Sequence, residues 1–242
     1  MPKRRNIRKR YFRSIERTLA THLQLDSEAK YSVTESSLAE IQACIIADCV
    51  RSAGYVPSET IITDGTASIG GNVFEFVKVF MGVHAVELHE KRSQMLAHNV
   101  KLLNLQTKVV VWCGDITQVN TVAQKFRHDV LFLDPPWTGN DYKRIPRLAL
   151  FLSGSSLMQV CNDWASRTSL IAMKLPINFD FSTFFDASQP CLYEEVARIV
   201  LGYHKRMFGK IACDTYLMKN NKLVTKMRHP KMILLVIRTT CT

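Results

Sequence analysis

Residues 60–88 read TIITDGTASIGGNVFEFVKVFMGVHAVEL. They open with a β-prone run, Thr60–Asp64, followed by a turn of small residues over 65–71. Residues 72–81 then have helical spacing, with Val73, Phe76, Val77 and Phe80 on one side. A second β-prone run covers Val83–Leu88. Strand, tight turn, helix and strand make a βαβ unit, whose two strands run parallel.

The alternation continues in both directions. Residues 90–103 predict a helix, 108–115 a Val-rich strand, 117–126 a helix and 129–134 a strand that runs into Pro135-Pro136. A helix is expected within 147–164 and a strand at 169–175. Two apolar β-prone runs near the end, 196–203 and 231–239, are expected to close the sheet as an antiparallel edge pair. Upstream, Ser37 and Glu40 have capping-box spacing. They would open a helix carrying Leu38, Ile41, Ile45 and Cys49 that stops near Gly54. The pattern is α/β with a mostly parallel sheet.

Composition narrows the class. Of 242 residues, 47% are hydrophobic and 22% charged, which excludes global disorder. No apolar run approaches the roughly 18 residues that span a bilayer, and the N-terminus lacks the apolar segment of a secretory signal. Seven cysteines, with no CxxC pair, argue for a reducing compartment and against a disulfide framework. Seven scattered histidines offer no zinc-type spacing, so no metal site is expected. The net charge of +11 and a pI near 9.4 suggest an acidic partner, most simply a nucleic acid.

That charge is concentrated at one end. Lys3, Arg4, Arg5, Arg8, Lys9, Arg10, Arg13 and Arg17 face a single acid, Glu16, within the first 17 residues. Ile7, Tyr11, Ile15, Leu19 and Leu23 recur every fourth residue, which predicts a basic amphipathic helix. Three readings stand: a solvated nuclear-import or RNA-binding tail, a helix docked on the core, and an Arg-rich mitochondrial presequence.

Open parallel sheets bind ligands at the carboxyl ends of their strands. Asp64, Glu87 and Asp115 fall at such ends, and a fourth strand ends in Asp134-Pro135-Pro136-Trp137. The turn from Asp64 to Gly71 suits either a ligand loop or a structural turn. Glu87, 23 positions after Asp64, stands where an acid accepts from ribose hydroxyls. Asp115 could accept from an adenine amino group or cap the following helix. At the fourth strand end, an Asp carboxylate and a Pro carbonyl supply two acceptors beside the flat Trp137. Such a set suits a planar base with an exocyclic amino group.

These residues resemble the class I S-adenosylmethionine-dependent methyltransferases that act on base amino groups. More narrowly, residues 31–143 resemble the RNA cap guanine-N2 methyltransferases, the trimethylguanosine synthase family. The matching pieces are Tyr31-Ser32-Val33-Thr34-Glu35, Asp64 with Gly70-Gly71-Asn72, and Glu87. Cys113-Gly114-Asp115 and Leu133-Asp134-Pro135-Pro136-Trp137 also match, the latter followed by Gly139, Asp141 and Tyr142. Lys174-Leu175-Pro176 is similar to the family's next strand end. Four places depart from it. Ser68 stands at a usual glycine, Asp134 at a usual serine, Thr138 at the first glycine of a pair, and Ile177-Asn178 where an arginine tends to grip phosphates.

The resemblance implies a class I, Rossmann-like fold: a mostly parallel seven-stranded sheet, an antiparallel C-terminal strand and helices on both faces. The charge and spacing at the start divide off a basic extension over residues 1–30, partly helical, from a methyltransferase domain over 31–242. S-adenosyl-L-methionine is the implied cofactor, held by Thr34, Asp64, Thr66, Gly70, Gly71, Asn72, Glu87, Asp115 and Asp134. Asp134, Pro135 and Trp137 are the implied catalytic residues. The implied partner is capped RNA, with Trp137 stacking on 7-methylguanine and Lys143, Arg144 and Lys174 at the phosphates. The workplace would be intracellular, in nucleus or cytoplasm (of a host cell for a viral source). Two rival readings remain: a methyltransferase for another amino base, adenine-N6 or ribosomal guanine-N2, and a non-catalytic RNA-binding protein on a decayed fold.

Overall fold

The computed structural model describes residues 8, 11–27, 33–125, 127–184, 193–203, 213–219, 222–223 and 230–240. Lys3, Arg4, Arg5, Lys9, Arg10, Tyr31 and Ser32, all used in the sequence reading, lie outside them. The chain divides into two compact units, Met1–Arg127 and His128–Thr242.

In the first unit the expected alternation forms. Helix α1 is Arg17–His22 and α2 is Ser36–Ser52; strand β1 is Ile61–Asp64 and helix α3 is Val73–Phe76. Then come β2 (Gly82–Glu87), α4 (Glu90–Leu102), β3 (Val109–Cys113) and α5 (Val119–Ala123). β1 pairs with β2 in parallel, Ile61 opposite Gly82, and β2 pairs with β3 in parallel, Val83 opposite Val109. Helix α4 packs on β2 and β3, and burial of Leu96 and Val100 secures it there. The helix after the glycine loop is shorter than expected. Only one turn is α-helical, and i→i+3 bonds such as Val79 N–H to the Phe76 carbonyl carry the chain onward. A run this rich in Val and Phe is a weak helix former. Its inward side chains Val73, Phe76, Val77 and Phe80 are nonetheless all buried.

Helix α2 stops where the sequence indicates. Gly54 takes φ +88, its N–H donates to the Arg51 carbonyl, and Tyr55 N–H donates to the Val50 carbonyl. That closes a Schellman motif, which favours glycine at the left-handed position. The start differs. Glu35 is the N-cap residue, the helix begins at Ser36, and the Ser37 hydroxyl has no hydrogen bond, so the expected capping box does not form.

The expected helix over 7–23 is broken. Turns follow Phe12, and α1 starts only at Arg17. Phe12, Ala20 and Leu23 are the buried members, rather than Tyr11, Ile15 and Leu19. The Phe12 ring lies 6.2 Å from that of Phe74, and Ser14 donates to the Glu75 carboxylate. Asn99 bonds both the N–H and the carbonyl of Gln24, and Arg92 pairs with Asp26 at 3.3 Å. Of the three readings, the docked one describes residues 11–27.

In the second unit β4 (Val130–Leu133) precedes a hairpin of β5 (Phe151–Leu152) and β6 (Ser155–Ser156). Ser153 and Gly154, both at positive φ, make its two-residue turn. Ser156 caps α6 (Leu157–Trp164) by accepting from Gln159 N–H, and β7 (Leu170–Pro176), α7 (Phe181–Phe184) and β8 (Tyr193–Tyr203) follow. Then come β9 (Cys213–Lys219), β10 (Lys222–Leu223) and β11 (Pro230–Thr239). β4 pairs with β7 in parallel and β7 with β11 antiparallel. β8 pairs antiparallel with both β11 and β9, and β10 with β9.

One expectation is corrected here. β11 and β8 are antiparallel partners, but β11 is no edge. It is inserted between β7 and β8, with Met232–Ile237 wholly buried. A strand covered on both faces needs a continuous apolar run, which these residues provide. The fold is a class I, Rossmann-like methyltransferase fold, mostly parallel with antiparallel C-terminal strands and flanking helices. Among the described residues no helix is long and apolar enough to cross a membrane.

Candidate active site

The first unit gathers its acids at the ends of β1 and β2. Asp64 is 2% exposed and accepts from Thr66 N–H at 3.1 Å, which tightens the turn out of β1. Glu87 is 6% exposed; one oxygen accepts from Ser68 N–H at 2.8 Å and the other from His89 N–H at 2.9 Å. Each carboxylate oxygen can accept twice, so Glu87 keeps capacity for two further donors while its orientation is already set. A buried anion with that capacity fits the paired hydroxyls of a ribose. The cofactor implied by the fold therefore suits the residues present.

The glycine turn is built by packing. Gly70 has φ +107, and a Cβ there would stand 2.4 Å from the Phe74 ring. A Cβ on Gly71 would stand 3.0 Å from the Thr34 nitrogen, because Val33-Thr34 lies directly across the loop. Thr34 is thus brought to the loop, as its motif implies. The Asn72 amide donates to Gln42 Oε1 at 2.7 Å within the core. At the end of β3, Asp115 Oδ1 accepts from both the N–H and the hydroxyl of Thr117. That is a local Asx turn, and helix α5 starts four residues later with Gln118 as its N-cap, so the capping alternative does not hold.

Two of the departures from the family pattern share a backbone explanation. Ser68 has φ +48 and Thr138 has φ +60. Both stand at family glycine positions, and both keep the left-handed conformation that glycine adopts freely. The substitutions therefore preserve the path of the chain at a steric cost. Part of it is offset by hydrogen bonds: Ser68 N–H donates to Glu87, and the Thr138 hydroxyl donates to the Trp137 carbonyl at 2.6 Å.

The second unit builds the acceptor end. Pro135 is buried, and Trp137 is half-buried with its ring 5.3 Å from Tyr142 in an edge arrangement. Asp134, one residue past β4, meets Lys174 of β7, with Nζ 2.5 Å from Oδ2. The two side chains are 15% and 9% exposed. Burial raises the Asp134 carboxyl above the usual range, and the charge and hydrogen bond of Lys174 oppose that rise. Lys174 Nζ also lies 5.5 Å from the Trp137 ring centre. This corrects the expected phosphate role of Lys174: its ammonium is buried against Asp134 and Trp137. Lys143, Arg144 and Arg147 are exposed. The Asn178 amide donates to the carbonyls of Tyr142 and Ile145, which fixes the segment bearing them. This anchor was not foreseen, because nothing local in Ile177-Asn178 points back 33 residues.

The model of the RNA cap guanine-N2 methyltransferase family matches residues 59–226, more than half of the chain. The chain belongs to that family. Membership makes it an S-adenosylmethionine-dependent methyltransferase of RNA cap guanine-N2 type. An uncharacterized protein of Acanthamoeba polyphaga mimivirus is 31% identical over 205 residues, covering 76% of this chain and 79% of that one. Trimethylguanosine synthase of Saccharomyces cerevisiae is 23% identical over 189 residues, covering 76% of this chain and 57% of the yeast protein. Among solved structures, a precorrin-6y C5,15-methyltransferase of Geobacter metallireducens superposes with a TM-score of 0.51 at 10% identity. It covers 90% of this chain and 98% of its own, and it shares the fold alone.

Proposed function

We propose that this family member transfers a methyl group to N2 of the 7-methylguanosine cap of RNA. The observation that carries the reading is the rim after β4, where a part-buried carboxylate, 15% exposed, and a rigid Pro-Pro backbone precede a half-buried indole. When bound, S-adenosylmethionine supplies an electrophilic methyl group on a positively charged sulfur. Glu87 accepts from the ribose hydroxyls, Asp115 from the adenine amine, and Asp64, Thr66, Thr34 and the Gly70-Gly71 backbone line the methionine end.

The guanine amine is a weak nucleophile, because its lone pair is delocalised into the ring. Asp134 and the Pro135 carbonyl accept its hydrogens and hold the lone pair in line for transfer, so positioning and electrostatics supply most of the rate. The amine would lose one proton as its new N–C bond forms and the sulfur–methyl bond of the donor breaks to leave a thioether, and Asp134 would accept that proton. Trp137 stacks on the base; a cationic 7-methylguanine gains about 1–2 kcal/mol from its π face if desolvated. Lys143 and Arg144 meet the cap phosphates as expected of them, with the exposed Arg147 in place of Lys174.

A methyl-transfer assay comparing 7-methylguanosine-capped with uncapped RNA tests this reading, with mass analysis of the product nucleoside. Transfer confined to capped RNA, on the cap guanine, is expected; equal transfer to both would defeat the cap assignment. One observation favours a second reading. Asp134 in place of serine is usual in enzymes for other amino bases, so adenine-N6 or ribosomal guanine-N2 is the alternative, and the same nucleoside analysis separates them. The cap reading puts the chain's work in the nucleus or cytoplasm.

A further inference from the structure

Lys174 is out of place on its strand. Leu170, Ile171, Ala172, Met173 and Leu175 are all buried and apolar, and β11 covers the strand's other edge with Leu234 opposite Lys174. A buried ammonium is tolerated when a counter-charge meets it. The β4–β7 register supplies one. Leu133 lies opposite Met173, so the next residues, Asp134 just past β4 and Lys174 within β7, come side by side. Their side chains close a 2.5 Å ion pair between Nζ and Oδ2.

A lone carboxylate at Asp134 would leave an uncompensated negative charge among largely buried groups, and the Lys174 ammonium offsets it. The lysine on Oδ2 fixes the orientation of the carboxylate. The same ammonium lies 5.5 Å from the Trp137 ring centre, so one cation ties the acceptor to the stacking plate.

We propose that Lys174 is a positioning residue of the acceptor site, which anchors Asp134 through Oδ2 so that the two residues work as one unit. This rests on the reading of Asp134 as the acceptor for the base amine. It follows that Lys174 matters to turnover only while Asp134 is present.

A double-mutant cycle tests this, with steady-state methyl transfer to a 7-methylguanosine cap analogue. Lys174→Met in the native background is expected to lower kcat about 100-fold, the scale of losing one preorganised electrostatic partner, with the KM for S-adenosylmethionine nearly unchanged. Lys174→Arg should recover part of that loss. In the Asp134→Ser background, Lys174→Met should change kcat by less than about threefold, as for residues that share one role. Equal losses in both backgrounds would overturn the proposal, since Lys174 would then act on something other than Asp134. Urea unfolding of the same four proteins covers the structural explanation: coupling in stability with additive effects on kcat would also overturn it. If the native chain ignores the cap but methylates another amino base, the cap reading falls and the cycle is scored on that base. No transfer to any amino base would defeat both.

Discussion

Ser68 and Thr138 both adopt left-handed backbone, a conformation that favours glycine. A β-branched residue at φ +60 is the more strained of the two. Left-handed backbone costs a non-glycine residue about 1–2 kcal/mol, and the extra unfolded-state freedom of glycine returns part of that. Thr138→Gly should therefore stabilise the chain by about 0.5–1 kcal/mol, read as a higher urea midpoint, and Ser68→Gly by less. Asp134 gives a pH signature. Burial raises its carboxyl in the folded chain, so the folded state binds that proton more tightly than the unfolded state does. Its contribution to stability is then largest below the ordinary aspartate value of about 3.9, and falls as pH rises toward the folded value. Urea titrations at pH 4 and pH 7 should show this slope, and Asp134→Asn should remove it.

At the scale of elements, helix α2 has two chemically distinct sides. Cys44 is exposed on one, while Cys49 is buried on the other, where burial and the nearby charge of Asp48 push its thiol up to about 11. The thiolate is the reactive form, so at pH 8 Cys49 is both hidden and protonated. Alkylation of the native chain, followed by peptide mass mapping, should label Cys44 and the exposed Cys113 and leave Cys49 and Cys161 until urea is added. Early labelling of Cys49 would mean that α2 does not hold this face inward. Strand β11 is the element whose place was least predictable. Its apolar run announces a buried strand, but pairing with both β7 and β8 joins residues about 60 and 35 positions apart, and no local pattern encodes that register.

At the scale of the molecule, the basic leader has two parts. Phe12 is buried and Ser14 donates to Glu75, while Lys3, Arg4 and Arg5 lie outside the described residues. Deleting residues 1–7 should raise the KM for RNA and flatten its salt dependence, because a single strand loses about 0.7 in log–log slope for each phosphate contact removed. Cofactor affinity, measured by calorimetry, should not move. Deleting residues 1–17 should also destabilise the chain, since it strips Phe12 from Phe74 and uncovers Glu75. Much of the protein is legible in its sequence for local reasons. The strand–turn–helix alternation, the stop at Gly54 and the acids at strand ends depend on residues close together in the chain. The Asp134-Pro135-Pro136-Trp137 motif is local in the same way, which is why the fold class and the chemistry of the acceptor site can be read from it. What needed the folded chain is what long-range pairing decides. Asn72 was bonded to Gln42, 30 residues away, and β11 was placed inside the sheet. Lys174 was drawn from the phosphates to a carboxylate 40 residues earlier, because parallel register sets neighbours that no sequence spacing reveals.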